Sequence, residues 1–293
     1  MTSAIDPLPL PQPLTPRLIA TDLDGTLLRD DKSISDRTVA ALAAAEEAGI
    51  EVFFVTGRPA RWMGVVSDHV QGHGLAICAN GAAVVDLRAG GKLLEVRPLD
   101  RDTALAVVRA LRDAAPGTSF AVELTNAFHH EPDYPPFQLD EGSTVAAAEK
   151  LLHEEGSAPG PPVIKLLAHH PELTPDAFLT VARTAVGHLA NFTRSSPTAL
   201  LEISGLGVSK ASTLALCCAQ RGISADEVVA FGDMPNDVEM LTWAGTSYAM
   251  GNAHPDVIAA ASGRTVANNE DGVAVIIEQI LAGEQAQAPD GNS

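Results

Sequence analysis

Residues 17–26 read Arg-Leu-Ile-Ala-Thr-Asp-Leu-Asp-Gly-Thr, an apolar run that ends on two acids. The run predicts a buried strand, and the i, i+2 spacing of Asp22 and Asp24 sends both carboxylates toward one pocket as the chain leaves the sheet. Gly25 and Thr26 favour the tight turn that must follow. Two carboxylates about 4 Å apart repel by roughly 4 kcal/mol at an effective dielectric near 20, so the pattern predicts a cation beside them.

The sequence indicates two sources of that positive charge. Mg²⁺ prefers oxygen ligands and usually takes one or two protein carboxylates together with substrate phosphate, which Asp22 and Asp233 can provide. Lys210 opens a helical pattern over residues 209–221 and can reach a phosphoryl oxygen. The residues therefore predict a magnesium-dependent phosphoryl-transfer site.

Strand and helix patterns alternate along the chain. The helical patterns include 35–48 and 209–221, and the candidate strands are 18–21, 51–55, 75–79, 228–232 and 246–250. This alternation predicts an α/β fold, a Rossmann-like parallel sheet with helices on both faces. In such sheets ligands bind beyond the carboxyl ends of the strands, where the polar residues fall.

A second α+β pattern interrupts the first. Its predicted helices are 100–115, 143–152 and 174–186, and its predicted strands are 120–124, 163–167 and 191–193. We expect a second domain of residues 86–195 inserted into a first domain of residues 16–85 and 196–283, with hinges near 84–86 and 195–198. The Pro-rich residues 1–15 and residues 284–293 are predicted to be disordered tails.

The polar residues, in their order along the chain, resemble the four motifs of the haloacid dehalogenase superfamily of phosphatases. These are residues 22–26, Thr56 after the second strand, Lys210, and residues 232–237, which read Gly-Asp-Met-Pro-Asn-Asp. Residues 80–82, 201–203, 207–210, 251–253 and 269–273 further resemble the Cof-type branch, which carries a large α/β cap between the second and third motifs.

The resemblance implies a role for each matching position. Asp22 is the nucleophile that becomes an aspartyl phosphate, and Asp24 is the general acid and then the base. The implied Mg²⁺ ligands are the carboxylates of Asp22 and Asp233 and the backbone carbonyl of Asp24, supported by Asp237. The implied phosphate-binding groups are Leu23 N–H, Thr56, Gly57 N–H, Arg58, Lys210 and Asn236. Thr56 and Lys210 are also expected to take part in catalysis.

Three functions fit this set of residues. The first is a phosphatase that hydrolyses small phosphomonoesters, sugar phosphates or related metabolites. The second is a phosphomutase or phosphotransferase that uses the same aspartyl phosphate, and the third is a noncatalytic phosphate-sensing protein. The filled acid, base and metal positions favour an enzyme.

Charge and composition exclude several partners. Nineteen Lys and Arg against 37 Asp and Glu give a net charge of −18, which argues against nucleic acid and anionic membranes as partners. No apolar run approaches the roughly 20 residues of a membrane span, and the N-terminal residues lack the pattern of a signal peptide. We expect a cytoplasmic protein with three reduced, buried cysteines, and the sequence fixes no oligomeric state.

Two local patterns have structural readings. Thr56 is expected to cap a helix that Pro59 helps begin, and Asn80-Gly81 is primarily a turn signal. In the cap, Asn126 and Phe128 are predicted to affect substrate choice, and Glu123 and Lys165 are further polar candidates. The paired histidines 129–130 and 169–170 are expected to be ordinary surface residues.

Overall fold

The structure is a computed structural model that describes residues 16–67, 74–136, 142–153, 160–195 and 198–287. Its strands are β1 (Leu18–Thr21), β2 (Glu51–Val55), β3 (Leu75–Cys78), β4 (Ala83–Asp86), β5 (Lys92–Val96), β6 (Ser119–Leu124), β7 (Phe128–His130), β8 (Val163–His169), β9 (Ala190–Thr193), β10 (Leu200–Gly205), β11 (Val228–Gly232), β12 (Thr246–Ala249) and β13 (Gly263–Arg264). Its α-helices are α1 (Asp36–Glu47), α2 (Gly64–Ser67), α3 (Arg101–Ala114), α4 (Ala148–Leu151), α5 (Pro175–Val186), α6 (Lys210–Gln220), α7 (Val238–Trp243), α8 (Pro255–Ala260) and α9 (Gly272–Gln287).

The first sheet has eight strands in the order β13-β12-β11-β1-β2-β3-β4-β5. The strands from β13 to β3 are parallel, which confirms the predicted α/β fold. Strands β4 and β5 are antiparallel additions at one edge. Apolar side chains of α1 and α9 cover one face, and those of α6, α7 and α8 cover the other. The three cysteines are free and buried, as expected.

The second sheet has five antiparallel strands in the order β7-β6-β8-β10-β9. Helices α3 and α5 pack their apolar faces on one side of it. Both helices begin at an N-cap, because the side chains of Asp100 and Thr174 accept hydrogen bonds from the first turn. The opposite side of the sheet is turned toward the carboxyl ends of β1 and β2, where its side chains line a shared cavity.

The points at which the chain passes from one sheet to the other differ from the predicted domain boundaries. Strand β5 belongs to the first sheet although it lies within predicted cap residues 86–195, and β10 belongs to the second sheet although it lies beyond residue 195. We therefore call residues 98–205 the insert and the rest of the described chain the core. The predicted hinge at 84–86 lies in β4, which is hydrogen-bonded on both sides and is a poor pivot. Residues 196–197 of the other predicted hinge lie outside the described residues.

One predicted helix is much shorter than expected. Residues 143–152 contain only α4, because Thr144 and Ala146 exchange backbone hydrogen bonds with His130 and Val145 forms a bridge beside β7. The predicted tail at 284–293 is also corrected in part, since α9 continues to Gln287. The other predicted tail, 1–15, and residues 288–293 lie outside the described residues. Among the described helices, none combines the length and apolar character needed to cross a bilayer.

Candidate active site

Asp22 directly follows the fully buried strand β1, at the side of the first sheet where its parallel strands have their carboxyl ends. Its backbone N–H donates to the carbonyl of Phe231 on β11, 3.1 Å away, so the chain leaves β1 beside the end of β11. Gly25 follows with φ of +77°, a conformation that favours glycine, and a Cβ there would collide with the Asp233 carboxylate. The turn can therefore approach Asp233 closely only because residue 25 is glycine.

Three buried carboxylates gather around one ammonium group at this edge. Lys210 Nζ lies 2.7 Å from Asp22 Oδ1 and 2.7 Å from Asp237 Oδ1, and the lysine side chain is 1% exposed. Asp237 Oδ2 accepts the backbone N–H groups of Asp233 and Met234, which ties this acid into the loop after β11. Thr26 donates its hydroxyl to Asp233 Oδ1 at 2.9 Å.

The charge of this cluster fits a divalent cation. One oxygen from each of Asp22, Asp233 and Asp237 lies within 4.8 Å of the others. Burial and the charge of Asp237 raise the pKa of Asp233 to about 7. Burial also raises the pKa of Asp22, while the two carboxylates beside Lys210 overcome its own burial and raise the lysine pKa. Three acids around one lysine leave an excess of negative charge, and all-oxygen ligands suit Mg²⁺.

Asp24 faces a different set of partners. Arg58 donates two hydrogen bonds to its carboxylate, from Nε to Oδ2 at 2.5 Å and from Nη2 to Oδ1 at 2.7 Å. Lys32 Nζ lies 2.8 Å from Oδ1. Burial acts to raise the pKa of Asp24, but the hydrogen bonds from Arg58 and Lys32 outweigh it and lower that pKa to about 2. The Asp24 carboxylate is thus ionised, and it is not among the acids grouped around Lys210. The predicted metal contact through its backbone carbonyl stays a prediction.

The loop after β2 carries Thr56, Gly57 and Arg58. Thr56 is 1% exposed, and its Oγ1 accepts the backbone N–H of Arg58 at 3.1 Å. The prediction that Thr56 caps the next helix is wrong, because the short 3₁₀ helix Ala60–Trp62 has Pro59 at its N-cap. With one lone pair of Oγ1 engaged by Arg58, the Thr56 hydroxyl keeps its own hydrogen for another acceptor.

Asn80 and Gly81 form the turn between β3 and β4, as predicted. Gly81 has φ of +101°, and a Cβ there would collide with the backbone of Ser209, so the turn packs directly on the start of α6. Asn80 Oδ1 accepts a hydrogen bond from Asn236 Nδ2 at 3.1 Å. The turn therefore aligns the start of α6, which contains Lys210, with the segment after β11 that contains Asn236.

A cavity of about 350 Å³ opens over these residues, between the core and the insert. The core residues of its lining that the sequence singled out are Asp22, Asp24, Thr56, Gly57, Arg58 and Asn236. Behind Asp22 lie the charged side chains of Lys210, Asp233 and Asp237. The side chain of Leu23 is buried among the apolar residues on one face of the first sheet. The structure thus brings the predicted site residues of distant parts of the chain to one place.

Sequence reasoning missed several residues of the cavity wall. They are Lys32, Trp62, Tyr134, Leu167 and Leu200. Ser195 and Thr198 entered only as ends of a predicted hinge, and Glu202 and Met234 only as parts of a resemblance. The burial of Glu202, Glu123 and Lys165 had one sequence signal, because each is the only acidic or basic residue, histidine aside, in a largely apolar strand. A single charge in a buried strand usually has a buried partner.

The specificity predictions for the insert have different outcomes. Phe128 lies in the cavity wall, but Asn126 is exposed in the β6–β7 turn and is not part of that wall. His129 and His170 receive backbone N–H groups on Nδ1, from Thr144 and from residues 172 and 173, so they act as local structural residues. His130 and His170 are buried rather than at the surface, contrary to expectation.

Known proteins resemble the chain over nearly its whole length. The 5-amino-6-(5-phospho-D-ribitylamino)uracil phosphatase YitU of Bacillus subtilis is 29% identical over 275 residues, covering 91% of this chain and 98% of the relative. The pyridoxal phosphate phosphatase YbhA of Escherichia coli is 30% identical over 285 residues, covering 90% and 98%. The solved structure of a haloacid dehalogenase-like hydrolase from B. subtilis has 26% identity and a TM-score of 0.75, covering 89% of this chain and 99% of that one.

A family model described as haloacid dehalogenase-like hydrolase matches residues 19–277. The match includes the end of β1, the Thr56 loop, Lys210 and the loop after β11, so it spans every part of the candidate site. The predicted resemblance, with its Cof-type branch, and the predicted enzyme class are confirmed. The chain belongs to the haloacid dehalogenase-like hydrolase family.

Proposed function

We propose that the chain is a Mg²⁺-dependent phosphatase that hydrolyses small phosphomonoesters through an aspartyl phosphate on Asp22. The observation that carries this proposal is the buried group of Asp22, Asp233 and Asp237 around Lys210, which meets the cavity at Asp22. An acid held between a lysine and a cation stays ionised beside an anionic substrate, as a nucleophile must.

The proposed reaction has two steps. An oxygen of Asp22 attacks phosphorus, the bond from phosphorus to the leaving oxygen breaks, and Asp24 gives that oxygen a proton. Water then attacks the aspartyl phosphate, Asp24 takes a proton from the water, and inorganic phosphate leaves Asp22. Because Arg58 and Lys32 hold Asp24 ionised, the first step requires that they turn toward substrate oxygens while Asp24 takes up a proton.

The binding roles follow from position in the site. Asp22, Asp233 and the backbone carbonyl of Asp24 would hold Mg²⁺, with Asp237 fixing the loop behind it. The cation, when bound, would offset the negative charge of the phosphoryl oxygens. Further contacts to those oxygens are proposed for Leu23 N–H, Thr56, Gly57 N–H, Asn236 and Lys210.

The cavity wall supports a metabolite-sized substrate. Polar groups of the core lie at one end, and Trp62, Phe128 and Tyr134 supply aromatic surface toward the insert. Aromatic walls favour a substrate with a flat or apolar portion beyond the phosphate. We therefore add the two substrates named for the relatives, a ribitylamino-uracil phosphate and pyridoxal phosphate, to the predicted sugar phosphates. Location in the cytoplasm stays a prediction.

The test is release of inorganic phosphate from a panel of these phosphomonoesters with Mg²⁺, with EDTA, and with the Asp22→Asn variant. We expect release by the wild-type protein that depends on both the cation and Asp22. Transfer of phosphate to a second sugar, with little release, would favour a phosphotransferase. No turnover of any compound would contradict the proposal.

A further inference from the structure

The insert presents three charged side chains to the core. Glu123 on β6 and Lys165 on β8 are register partners, and Glu202 lies on β10, the next strand. Their exposures are 2%, 4% and 5%, although they lie on the cavity side of the sheet. Glu123 Oε1 accepts a hydrogen bond from Arg61 of the core at 2.6 Å. Buried charges of the insert thus contact the core directly.

Lys165 makes the central contact. Its Nζ lies 2.7 Å from Glu202 Oε1 and donates to the backbone carbonyl of Gly57, in the core, at 2.8 Å. Glu202 Oε2 accepts the hydroxyl of Ser195 at 2.7 Å. Burial acts to raise the pKa of Glu202, but Lys165 outweighs it and holds that pKa below its usual range, so the pair is ionic.

The core is built to receive this pair. A Cβ at position 57 would lie 3.3 Å from both Glu202 Oε1 and Asn80 Oδ1, so a side chain there would press on the acid. Glycine lets the backbone of the Thr56 loop approach Glu202 and Lys165 closely. The contact between insert and core therefore involves a specific carbonyl group and not only adjacent side chains.

The peptide group between Gly57 and Arg58 connects that contact to the candidate chemistry. Lys165 donates to the carbonyl of this peptide group, which belongs to Gly57. The N–H of the same group, which belongs to Arg58, donates to Thr56 Oγ1 at 3.1 Å. The same Arg58 holds the carboxylate of Asp24 with two hydrogen bonds. One peptide plane thus links the insert to Thr56 and Asp24, the groups proposed to contact the phosphoryl group and the leaving oxygen.

We propose that Lys165 and Glu202 are a positioning pair through which the docked insert fixes the Gly57–Arg58 peptide, and with it Thr56 and Arg58, for phosphoryl transfer. This inference rests on the proposed function. Lys165 acts on the core loop, and Glu202 orients Lys165 and compensates its charge. Catalysis then requires the insert to be seated on the core, since Gly57 otherwise loses this donor.

The kinetic test uses Lys165→Met, Glu202→Gln and the double variant. Lys165→Met leaves Glu202 buried without its cation and is expected to lower stability, whereas the double variant removes both charges and regains stability. In Lys165→Met and in the double variant we expect kcat to fall about 10- to 100-fold, by the same factor for para-nitrophenyl phosphate and pyridoxal phosphate, with KM changed much less. If the double variant recovers the stability lost in Lys165→Met but not its kcat, the result supports a role for Lys165 in positioning the Gly57–Arg58 peptide.

The matched control is Arg112→Met, which breaks insert ion pairs with Glu131, at 2.6 Å, and Glu149, at 3.2 Å, on the helix-covered side of the second sheet. We expect this variant to keep the wild-type kcat. A loss in Lys165→Met that appears with only one of the two substrates, or as a change of KM alone, would assign Lys165 to direct substrate contact and overturn the inference. An unchanged kcat would also overturn it.

A second measurement does not depend on turnover. The backbone amide signals of Gly57 and Arg58 in ¹⁵N NMR spectra should shift in Lys165→Met and in the double variant, and should stay in place in Arg112→Met. Unshifted amides would contradict the inference even if the wild-type protein released no phosphate. Shifted amides without wild-type turnover would instead place the failure in the proposed function.

Discussion

The core and the insert supply buried charges to one cavity in different ways. In the core, Asp22 and Asp233 stand directly after the ends of β1 and β11, in tight loops that adjacent parallel strands bring together. In the insert, Glu123, Lys165 and Glu202 stand within strands and project from one face of an antiparallel sheet. The core therefore places its groups through short local motifs, whereas the insert places them through strand pairing.

The difference suggests a division of labour. The core groups contact one another across the candidate cation site, and their mutual spacing depends on the first sheet, its loops and the start of α6. The insert groups contact the core at Gly57 and Arg61, in the segment that follows β2. Core substitutions are thus expected to abolish chemistry, and insert substitutions to change its rate or its choice of substrate.

The largest effect is expected for Asp22→Asn. Because the amide is a poor nucleophile, we expect kcat to fall by roughly 10⁴-fold or more. The protein should stay folded, since Lys210 keeps Asp237 as a partner 2.7 Å away and one of the crowded carboxylates becomes neutral. Phosphate release and thermal unfolding, measured on the same preparation, check both halves. Substantial activity in this variant would end the assignment of chemistry to the core.

Lys210→Met is expected to affect both stability and activity. The substitution leaves Asp22 and Asp237 buried without their shared cation, and loss of one partner of a buried ion pair typically costs about 3 to 5 kcal/mol. Urea denaturation measures the free energy of unfolding. Added Mg²⁺ should recover part of the stability but little of the activity. A stability equal to that of the wild-type protein would show that the cluster tolerates its excess negative charge.

A smaller effect is expected in the insert at Phe128. Replacing it with Leu reshapes the wall of the cavity, and we expect the ratio of kcat/KM between pyridoxal phosphate and a hexose phosphate to change by about 10-fold. The magnesium requirement should stay the same. Asn126→Ala serves as the control, because Asn126 is exposed and lies outside the cavity wall. Equal ratios in Phe128→Leu and wild type would remove Phe128 from substrate selection.

The smallest effect concerns pH and the candidate cation site. The pKa of Asp233, about 7, lies above the ordinary value near 3.8, so the cation-free folded protein keeps a proton that the unfolded chain loses. Asp233 therefore makes the cation-free protein less stable as pH rises from about 4 to 7, and a bound cation removes this loss of stability. MgCl₂ should raise the Tm more at pH 8 than at pH 6. Asp233→Asn should reduce the difference between the two pH values, and Asp22, whose pKa is also raised, accounts for the part that is left.

The core half of the site was predictable because its information is local. Asp22, Thr56 and Asp233 each follow an apolar run that ends at a strand terminus, and parallel strands bring such termini to one edge. Lys210 was found through its helix pattern, although its burial between two acids was not foreseen. The antiparallel edge strand β5 was missed because its side chains are mostly exposed and its apolar signal is weak.

The insert half was less predictable for a physical reason. Glu202, Ser195 and Tyr134 meet in the cavity only after five strands have paired, and neither the pairing order nor the register can be read from one strand. Asn126 and Phe128 are two residues apart, yet the first lies in a hairpin turn and the second in a strand. A short stretch of polar residues could not distinguish those two positions.

The most direct test of the core's chemistry is to trap the covalent intermediate. Asp24→Asn removes the proposed acid as well as the proposed base, so the substrate is para-nitrophenyl phosphate, whose leaving group needs no proton. With the base absent, the aspartyl phosphate formed from this substrate should accumulate and survive an acid quench. Trypsin then releases residues 18–29, in which Asp22 is the one remaining carboxylic side chain of this variant. We predict a hydroxylamine-sensitive phosphate on that peptide, read by mass spectrometry. Phosphate release without any phosphate on this peptide, or a hydroxylamine-resistant phosphate on Thr21 or Thr26, would contradict Asp22 as the nucleophile.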